Sequence, residues 1–595
     1  MKPIIQYQGE VYQALLKMVQ MLNPYANKLW VALAILWLFG LLYSCFRVWM
    51  MLKKGADGLT KRDHPDRLGV VGGLVWVLGG IFMLRLPSLA LPAQNTDEGQ
   101  WIASVGTLIA DPRFWLSVDG TTSGPLNVYP LTIPYLFGLS IDYATIRLVG
   151  LLALLGAVGF LFGTFRHLFG KAVARLAVLP MAVVLAFMPQ GDGLGYNSEH
   201  FPMLLLAAAI FLLSKEPILD QDSRRSEPIG AFQTALLGFV LGCVPYTKLQ
   251  AIPLALVLAA GALLLVSYAA PERWKRLGWL VLGGLLPSIL VVIYLAYTDN
   301  FEFFWKSFIL ANLGYAEKGS FGRGVDSWSD KLMYLLPLIY SGLASSKWFF
   351  ACLPILVVGG FLLFFQRRLR PVQRLVLAFL LLWLVTAIYS TLKPGNRFYH
   401  YQLLAYVPAF LLAGVILGIG VSQVGRKVQV WLVGMWLLAL VVGPGVRMAL
   451  LGNTGIRVLS QGADKKSALA SRINQYAQPN EKMVVWGWDN HLHVETGLLM
   501  GSRFIPVYYP VIESELQPYF LDVHQQDILK NRPVIIVDVT PRFLAYQAYS
   551  VDHYPFVVKL LADQYHFIGT VEQARVFVRK DRYNHERSSA ATARL

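Results

Sequence analysis

The chain is poor in charged residues and in cysteine. Of its 595 residues only 15% are charged, whereas 56% are hydrophobic. Soluble domains carry about 25% charged residues, so this composition excludes an ordinary soluble protein. The three cysteines, Cys45, Cys243 and Cys352, lie in or beside apolar runs and do not have the spacing of metal ligands. We therefore expect neither a disulfide framework nor a cysteine metal site.

Several recognisable sequence patterns are also missing. We find no internal repeat, no Walker A loop and no dinucleotide fingerprint. The net charge is +17, but beyond residue 451 sixteen Lys and Arg face fourteen Asp and Glu. Nearly all of the excess is therefore in the apolar part, where it is concentrated in short loops. Such a distribution reflects membrane topology, and we expect no nucleic-acid partner.

Long apolar runs fill the first 451 residues. Runs of about 18 residues or more indicate transmembrane helices. Residues 1–27 form a weakly amphipathic lead-in to the first run. We predict twelve spans, at about 28–51, 69–90, 144–165, 172–190, 200–214, 229–245, 250–268, 277–297, 348–366, 375–391, 402–421 and 429–449.

Lys and Arg are concentrated in every second loop between these spans. Because basic loops stay in the cytoplasm, this alternation predicts the orientation. The N-terminus, the loops 91–143 and 298–347 and everything beyond 450 are then extracytoplasmic. The basic segments are 53–67, 166–175, 215–225, 273–276, 367–374 and 426–427.

The chain divides into a transmembrane domain, 1–451, and an extracytoplasmic domain, 452–595. The second part alternates helical and strand patterns, which predicts a small α/β domain with a partly parallel sheet. The fold class is thus a mainly α polytopic membrane protein with a C-terminal α/β domain. We predict helices at 465–478, 519–530 and 555–564, and strands at 482–487, 534–538 and the end of 567–579.

Two adjacent carboxylates, Asp97 and Glu98, follow the second apolar run directly. Apolar residues recur after them with helical spacing, which predicts a helix lying on the membrane surface. Acidic groups at that boundary suit catalysis on a lipid-linked polar substrate. A structural explanation competes with this one: Thr96 could cap the helix, and acidic residues in a first turn favour its dipole. The apolar positions are Trp101, Ile102, Val105, Leu108 and Ile109.

Other outer segments carry polar or aromatic patterns. Residues 119–127 form a turn-rich segment. The loop 298–347 has aromatic residues followed by glycines, which fits a mobile cover over a cleft or an ordinary interfacial loop. His491, His493 and Glu495 alternate, so on a strand they would share one face, either as metal ligands or as a solvated polar face.

The ordered set of motifs resembles the GT-C superfamily of membrane glycosyltransferases. Within it, the branch of protein O-mannosyltransferases and lipid A aminoarabinose transferases is most similar. The span at 28–51 is an addition before the usual first helix of that branch. The matching features are Asp97–Glu98, the helix after it, the segment 123–127, Arg147, the segment 197–200, Lys248, the segment 396–401 and the α/β tail.

The resemblance implies a polyprenyl-phosphate sugar as donor. Such a transfer needs a base for the acceptor hydroxyl and a cation for the departing phosphate. We predict Asp97 as the base, with Glu98 beside it as the second catalytic candidate. Each substrate-binding candidate also has a structural explanation, as a side chain snorkelling from a helix end or an ordinary loop polar group. These candidates are Arg147, Lys248, Arg397, His400, Glu199, His200 and Tyr196.

The predicted function is transfer of a hexosyl or pentosyl unit to an extracytoplasmic lipid, glycan or protein, by inverting direct displacement in the cell (inner) membrane. A transporter or flippase is the main alternative, although it should show repeats or ionisable residues deep in its spans. A lipid-linked polymer ligase is a nearer alternative, but it should lack the acidic pair. No cofactor is certain, and the acidic pair could bind a divalent metal ion instead of acting as base.

Overall fold

A computed structural model describes residues 3–53, 67–188, 191–219, 229–268, 272–319, 324–335, 346–367, 369–423 and 426–583. Among these residues nine helices are long and apolar enough to cross a membrane, and two further apolar helices are shorter. The protein is therefore a polytopic membrane protein. Its helices before residue 452 are Glu10–Leu22, Ala26–Lys53, Arg67–Arg85, Thr96–Ala110, Pro125–Val128, Ile133–Leu136, Tyr143–Ala177, Leu179–Ala186, His200–Leu213, Ala231–Cys243, Ile252–Tyr268, Arg273–Thr298, Phe301–Phe304, Asn312–Lys318, Trp328–Met333, Lys347–Phe364, Pro371–Leu392, Leu403–Gln423, Arg426–Leu437 and Gly443–Leu451.

Each predicted span has a counterpart in this set. The apolar stretch Tyr143–Ala186 has 44 residues, about 66 Å of helix, which is twice the thickness of a bilayer core. It is interrupted at Gly170, whose φ of 81° is non-helical. This interruption falls between the two spans predicted at 144–165 and 172–190. The spans predicted at 200–214 and 229–245 are the two shorter helices, His200–Leu213 and Ala231–Tyr246. Parts of the basic loops, including Lys61, lie outside the described residues.

The first two spanning helices are joined by reciprocal contacts of Trp37 and Trp76. Each indole N–H donates to the backbone carbonyl of the other tryptophan, at 3.0 and 3.3 Å. A Cβ at Gly80 would lie 1.8 Å from the Trp37 ring, and one at Gly40 would lie 2.4 Å from the Trp76 ring. Only glycine allows this approach, so the pair of helices has one specific packing.

A five-stranded mixed sheet forms the centre of the C-terminal domain. Its strands are β1 (Lys482–Trp486), β2 (Leu499–Met500), β3 (Ile535–Asp538), β4 (Tyr565–Val571) and β5 (Ala574–Arg579), in the order β2-β1-β3-β5-β4. β1 pairs in parallel with β2 and β3, whereas β5 is antiparallel to β3 and β4. The partly parallel sheet is thus confirmed. The helices beyond residue 452 are Thr454–Ser460, Ala468–Ile473, His491–Thr496, Gln517–Asn531 and Pro555–Gln564.

Burial on both faces explains why β1 is continuously apolar. Met483 and Val485 pack into one hydrophobic cluster, and Val484 and Trp486 pack into another. Alternate residues of a strand point to opposite faces, so a strand covered on both sides has no polar positions. The domain boundary predicted at 451/452 stays a prediction, because Thr454–Ser460 packs against residues of the membrane part.

In the helix Thr96–Ala110, here called the acidic helix, the apolar face that the sequence analysis assigned to the membrane surface is covered by protein. All its residues from Glu98 to Leu108 are buried. Trp101, Val105 and Leu108 share a hydrophobic cluster with Leu499 and Met500 of the C-terminal domain. The Met500 amide also donates to the Thr107 hydroxyl at 3.1 Å. The C-terminal domain therefore covers the side that the sequence alone assigned to lipid.

The aromatic segment after residue 298 is packed, not a loose cover. Phe303, Phe304 and Phe308 are buried, and Phe304 and Phe308 contact the Trp115 ring with centroids 4.8 and 5.5 Å apart. The glycine-rich part, 320–323, and residues 336–345 lie outside the described residues.

The N-terminal segment lies on the same side of the apolar helices as the C-terminal domain. The Ile4 amide donates to Asn480 at 2.9 Å, and the Tyr7 hydroxyl donates to Asp464 at 2.8 Å. The Gly9 amide donates to Asp142 at 2.9 Å, in the loop after the acidic helix. The predicted common side of the N-terminus, the acidic loop and the tail is thus present in the structure.

Candidate active site

Asn95 begins the acidic helix. Its side-chain oxygen accepts the Glu98 amide at 3.0 Å, whereas Thr96, the cap expected from the sequence, is the first helical residue. The Asn95 amide group also donates to Asp192 at 3.3 Å and to Asn197 at 3.2 Å. The cap therefore ties the start of the helix to the loop 191–199.

Glu98 and Arg147, here called the clamp, form a fully buried ion pair. The guanidinium donates to both carboxylate oxygens at 2.6 Å, from Nε and from Nη2. Glu98 also accepts the backbone amides of Gln94 at 2.8 Å and Tyr196 at 3.0 Å. A bidentate Arg–carboxylate pair with every lone pair engaged is a rigid unit.

The remaining donors of Arg147 are also occupied. They donate to the carbonyls of Leu89, Leu91 and Pro92 at 3.0, 2.5 and 2.9 Å. A guanidinium has five N–H donors, and all five have protein partners here. This arrangement does not favour the predicted role of Arg147 as a phosphate ligand. It leaves Glu98 without a free lone pair for a proton or a metal ion.

Asp97 is in the opposite situation. None of the described residues hydrogen-bonds its carboxylate, and its side chain is only partly buried. Burial raises the pKa of Asp97 above its ordinary value. The charges of His400 and Lys248 oppose that shift, and those of Asp192 and Glu199 add to it. Asp97 and these four residues are here called the charge cluster; the four act electrostatically on the one free carboxylate.

Lys248 is the fixed cation of the charge cluster. Its ammonium donates to the Ser198 hydroxyl at 2.8 Å and to Glu199 in a buried ion pair. It also lies over the Tyr401 ring, 4.7 Å from the centroid. An ammonium has three donors, and two of them have hydrogen-bond partners among the described residues.

The segment 123–127 holds Lys248 and Tyr196 in place. Ser123 and Lys248 form an isolated antiparallel bridge, and the Gly124 amide donates to the Thr247 carbonyl at 2.9 Å. A Cβ at Gly124 would lie 2.2 Å from the Tyr246 carbonyl oxygen, which explains the glycine. Asn127 accepts the Tyr196 hydroxyl through its backbone and side-chain oxygens, both at 2.7 Å.

His400 is paired with Asp192. Its Nδ1 lies 3.1 Å from an Asp192 carboxylate oxygen, and no described residue hydrogen-bonds the other ring nitrogen. Although burial opposes it, the hydrogen bond with His400 lowers the pKa of Asp192 below its ordinary value. Asp192 thus stays ionised and fixes the orientation of the imidazole.

The segment after residue 298 reaches this site through Tyr315. The Tyr315 and Tyr401 hydroxyls lie 2.7 Å apart, and Asn396 donates to Tyr315 at 2.9 Å. Asp97 is one of the charges that act on Tyr315. The segment is therefore joined to the residues around the charge cluster through Tyr401, whose ring Lys248 contacts.

The other three candidates have defined positions in the structure. Tyr196 is fully buried, and its hydroxyl donates to Asn127. His200 is buried and its Nε2 has no partner among the described residues. Arg397 is exposed and lies over the Tyr334 ring at 4.2 Å, without a hydrogen bond to the charge cluster among the described residues.

No group of three His, Cys, Asp or Glu that could hold a metal ion occurs in the described part of the chain. His491, His493 and Glu495 lie on the helix His491–Thr496, not on a strand. Each has its own partner: Tyr143 at 3.1 Å, the Leu498 carbonyl at 2.9 Å and Ser467 at 2.5 Å. Since Glu98 is bound by Arg147, the acidic pair does not form a chelate. Neither the acidic pair nor the group His491, His493 and Glu495 therefore fits the divalent metal ion that the sequence analysis considered.

Sequence reasoning missed Asp192, Asn95 and Tyr315 as parts of this site. Asp192 stands between two glycines just before the segment 197–200, and that proximity was its only signal. Tyr315 had none, because its partners Tyr401 and Asn396 are about 80 residues away.

Comparisons with known proteins give a fold but no sequence relative. No protein-family model matches the chain, and no curated protein matches its sequence. Among solved structures, ArnT from Cupriavidus metallidurans, bound to undecaprenyl phosphate, is similar with a TM-score of 0.51 and 18% identity, over 85% of this chain and 98% of that chain. The Archaeoglobus fulgidus oligosaccharyltransferase, in complex with Zn and sulfate, has a TM-score of 0.42 and 12% identity, over 84% of this chain and 73% of that chain.

The first of these likenesses defines the class. The chain is a polytopic membrane protein with the GT-C fold, as the ordered motifs predicted, and it carries a C-terminal mixed-sheet domain.

Proposed function

We propose that this protein is a membrane glycosyltransferase that takes its sugar from a polyprenyl-phosphate donor. The observation that carries the proposal is the free carboxylate of Asp97 beside the cations Lys248 and His400. The shared fold supports it, since the ArnT structure with that fold contains undecaprenyl phosphate. A base next to fixed cations is the combination that transfer from a sugar phosphate requires.

The reaction we propose is a direct displacement with inversion at the anomeric carbon. The acceptor hydroxyl oxygen attacks that carbon while its proton passes to Asp97. The bond from the anomeric carbon to the phosphate oxygen breaks, and polyprenyl phosphate leaves with the electron pair. The raised pKa of Asp97 brings this carboxylate nearer the range that suits a general base.

Lys248 and His400 are the groups we assign to the donor phosphate. Among the described residues, Lys248 has hydrogen-bond partners for two of its three donors and His400 for one of its two ring nitrogens. Both are buried, where charge stabilisation is stronger than in water. Glu199 and Asp192 hold these two side chains, so both groups are positioned before the substrate binds.

We assign the clamp to positioning rather than to chemistry. Its ion pair fixes the first turn of the acidic helix against the helix Tyr143–Ala177, and this sets the direction of Asp97. Because Glu98 and Arg147 have no free lone pair or donor, neither can meet a substrate without breaking the pair.

The proposed orientation follows from the basic loops. The charge cluster and the C-terminal domain are extracytoplasmic in the cell membrane, and the acceptor is a lipid, glycan or protein on that side. A cytoplasmic reporter fused after Arg579 would then be silent, and a strong signal would overturn the orientation.

The decisive assay separates transfer from transport. Purified protein is incubated with radiolabelled polyprenyl-phosphate sugars and an extract of envelope acceptors, with Asp97→Asn as the inactive control. We expect label in an acceptor product with the wild type only. Movement of intact labelled lipid across vesicles without any transferred label would instead establish the flippase.

A further inference from the structure

A cleft outside the candidate active site lies between the first spanning helix, Ala26–Lys53, and the helices Arg67–Arg85 and Tyr143–Ala177. Its volume is about 360 Å³. The walls are largely apolar and aromatic, with Leu41, Trp76 and Phe162. Pockets for small ligands have about 300–1,000 Å³, so this cleft can hold part of a lipid molecule.

Two arginines, Arg47 and Arg175, line the same cleft, and none of its lining residues is acidic. Arg47 is exposed and has no hydrogen bond or ion pair with any described residue. Guanidinium groups bind phosphate oxygens in bidentate fashion. An apolar cleft with two such groups is complementary to an amphiphile with an anionic phosphate head.

The cleft is separate from the clamp that holds the start of the acidic helix. Phe162 lies about 22 Å along its helix from Arg147, at 1.5 Å per residue. Arg47 and Arg175 belong to the ends of their spans that the basic loops place in the cytoplasm. Basic pockets between spanning helices on that side are suited to anionic head groups.

Gly73 keeps the cleft open. A Cβ there would lie 3.8 Å from Nε of Arg175, in ordinary contact and directed toward the guanidinium. A larger side chain at this position would therefore occupy the space that a ligand needs, without removing either charge.

We propose that this cleft binds an anionic glycerophospholipid of the bilayer. The phosphodiester lies between Arg47 and Arg175, and one acyl chain packs along Trp76 and Phe162. The proposed site does not depend on the proposed transfer reaction. The first spanning helix, Ala26–Lys53, forms one of its walls.

The test is native mass spectrometry of the full-length protein in detergent, titrated with phosphatidylglycerol or with phosphatidylcholine of the same acyl chains. We expect one tightly retained phosphatidylglycerol, at a concentration at least tenfold below that needed for phosphatidylcholine. The double variant Arg47→Gln/Arg175→Gln should lose that preference, and Gly73→Leu should lose the retained lipid with both charges present.

The control removes two exposed cations elsewhere on the predicted cytoplasmic side, Arg273→Gln/Lys275→Gln, and should keep the preference. If the double variant does not fold, the exposed Arg47 is replaced alone. Equal retention of the two lipids by the wild type would overturn the proposal. Loss of preference in the control, or tighter retention of undecaprenyl phosphate than of phosphatidylglycerol, would also overturn it.

Discussion

The carboxylate of Glu98 accepts four hydrogen bonds, two of them from Arg147, whereas that of Asp97 accepts none from the described residues. The two side chains are neighbours on one helical turn, but they point into different surroundings. Glu98 is held in a buried ion pair between helices, whereas the charges of Lys248 and His400 act on the carboxylate of Asp97.

This difference shows how two adjacent carboxylates can have different roles, one structural and one chemical. A saturated carboxylate stabilises a fold, because its charge is neutralised and its lone pairs are engaged. An unsaturated carboxylate can accept a proton. In the proposed reaction the clamp fixes the position of Asp97, and the charge cluster supports its role as proton acceptor. The predictions that follow alter the two regions separately.

The largest effect is expected at Asp97. Asp97→Asn keeps the shape of the side chain but cannot take the acceptor proton, and a positioned base contributes about 10²–10⁴-fold in rate. We expect transfer to fall by that factor, with unchanged yield, unfolding temperature and donor affinity. Initial rates with saturating labelled donor measure it. A transfer rate of Asp97→Asn above a tenth of the wild-type rate would show that Asp97 is not the base.

Glu98→Gln should act on stability instead. It leaves the Arg147 charge buried without its partner, and breaking one side of such a pair costs about 3–5 kcal/mol. We expect a lower unfolding temperature and lower yield, while each folded molecule keeps its transfer rate within about tenfold of the wild type. A normal unfolding temperature combined with lost turnover would instead indicate that Glu98 is the base and that Asp97 has the structural role.

The Arg147→Lys variant alters the same ion pair at its cationic side chain. Lysine cannot supply the five-donor geometry, so we expect a destabilised protein. The sequence alone predicted weaker donor binding, and the clamp now predicts normal donor affinity for the folded fraction. Equilibrium binding of labelled donor beside a thermal melt decides between them.

Lys248→Met should weaken donor binding by roughly 10- to 100-fold, because a charge-assisted hydrogen bond contributes about 1.5–3 kcal/mol. The variant also leaves Glu199 unpaired, so Lys248→Met/Glu199→Gln is the matched control. If the double variant regains wild-type donor affinity, Lys248 serves only to neutralise Glu199.

The smallest effect is expected at Asp119, a carboxyl at the interface with the C-terminal domain. Burial raises its pKa to about 6. In the unfolded chain this carboxyl ionises near pH 4. The folded state favours the protonated form, so the stability that protonated Asp119 contributes is lost as the pH rises from about 4 to 6. Asp119→Asn should therefore gain a few degrees in unfolding temperature relative to the wild type between pH 5 and 7.5. The exposed Asp522→Asn serves as the surface control, and unfolding temperatures of the wild type and Asp119→Asn that run parallel with pH would contradict the expectation.

Much of the architecture could be predicted from the sequence because it depends on local patterns. Long apolar runs predict the spans, and the interruption at Gly170 lies between two of the predicted ones. The strand β1 was predictable from four consecutive apolar residues, Met483 to Trp486. The short strand β2 was not, since two residues give no periodicity.

The division of labour at the acidic pair could not be predicted. Which carboxylate meets Arg147 depends on how the helix Tyr143–Ala177 packs, 49 residues later in the chain. The burial of the acidic helix depends in turn on Leu499 and Met500, about 400 residues away. Helical spacing reveals an apolar face, but it does not show whether lipid or protein covers it.

The most direct test of the central claim is the pH dependence of transfer in donor-loaded protein. Single-turnover rates are measured for the wild type and for Asp97→Asn after excess donor is bound. Because burial raises the pKa of Asp97, the account predicts that the wild-type rate rises with pH through an apparent pKa above the ordinary aspartate value of about 3.9. The Asn variant should show a low rate without that rise. The same pH profile in both proteins would contradict the assignment of Asp97 as the proton acceptor.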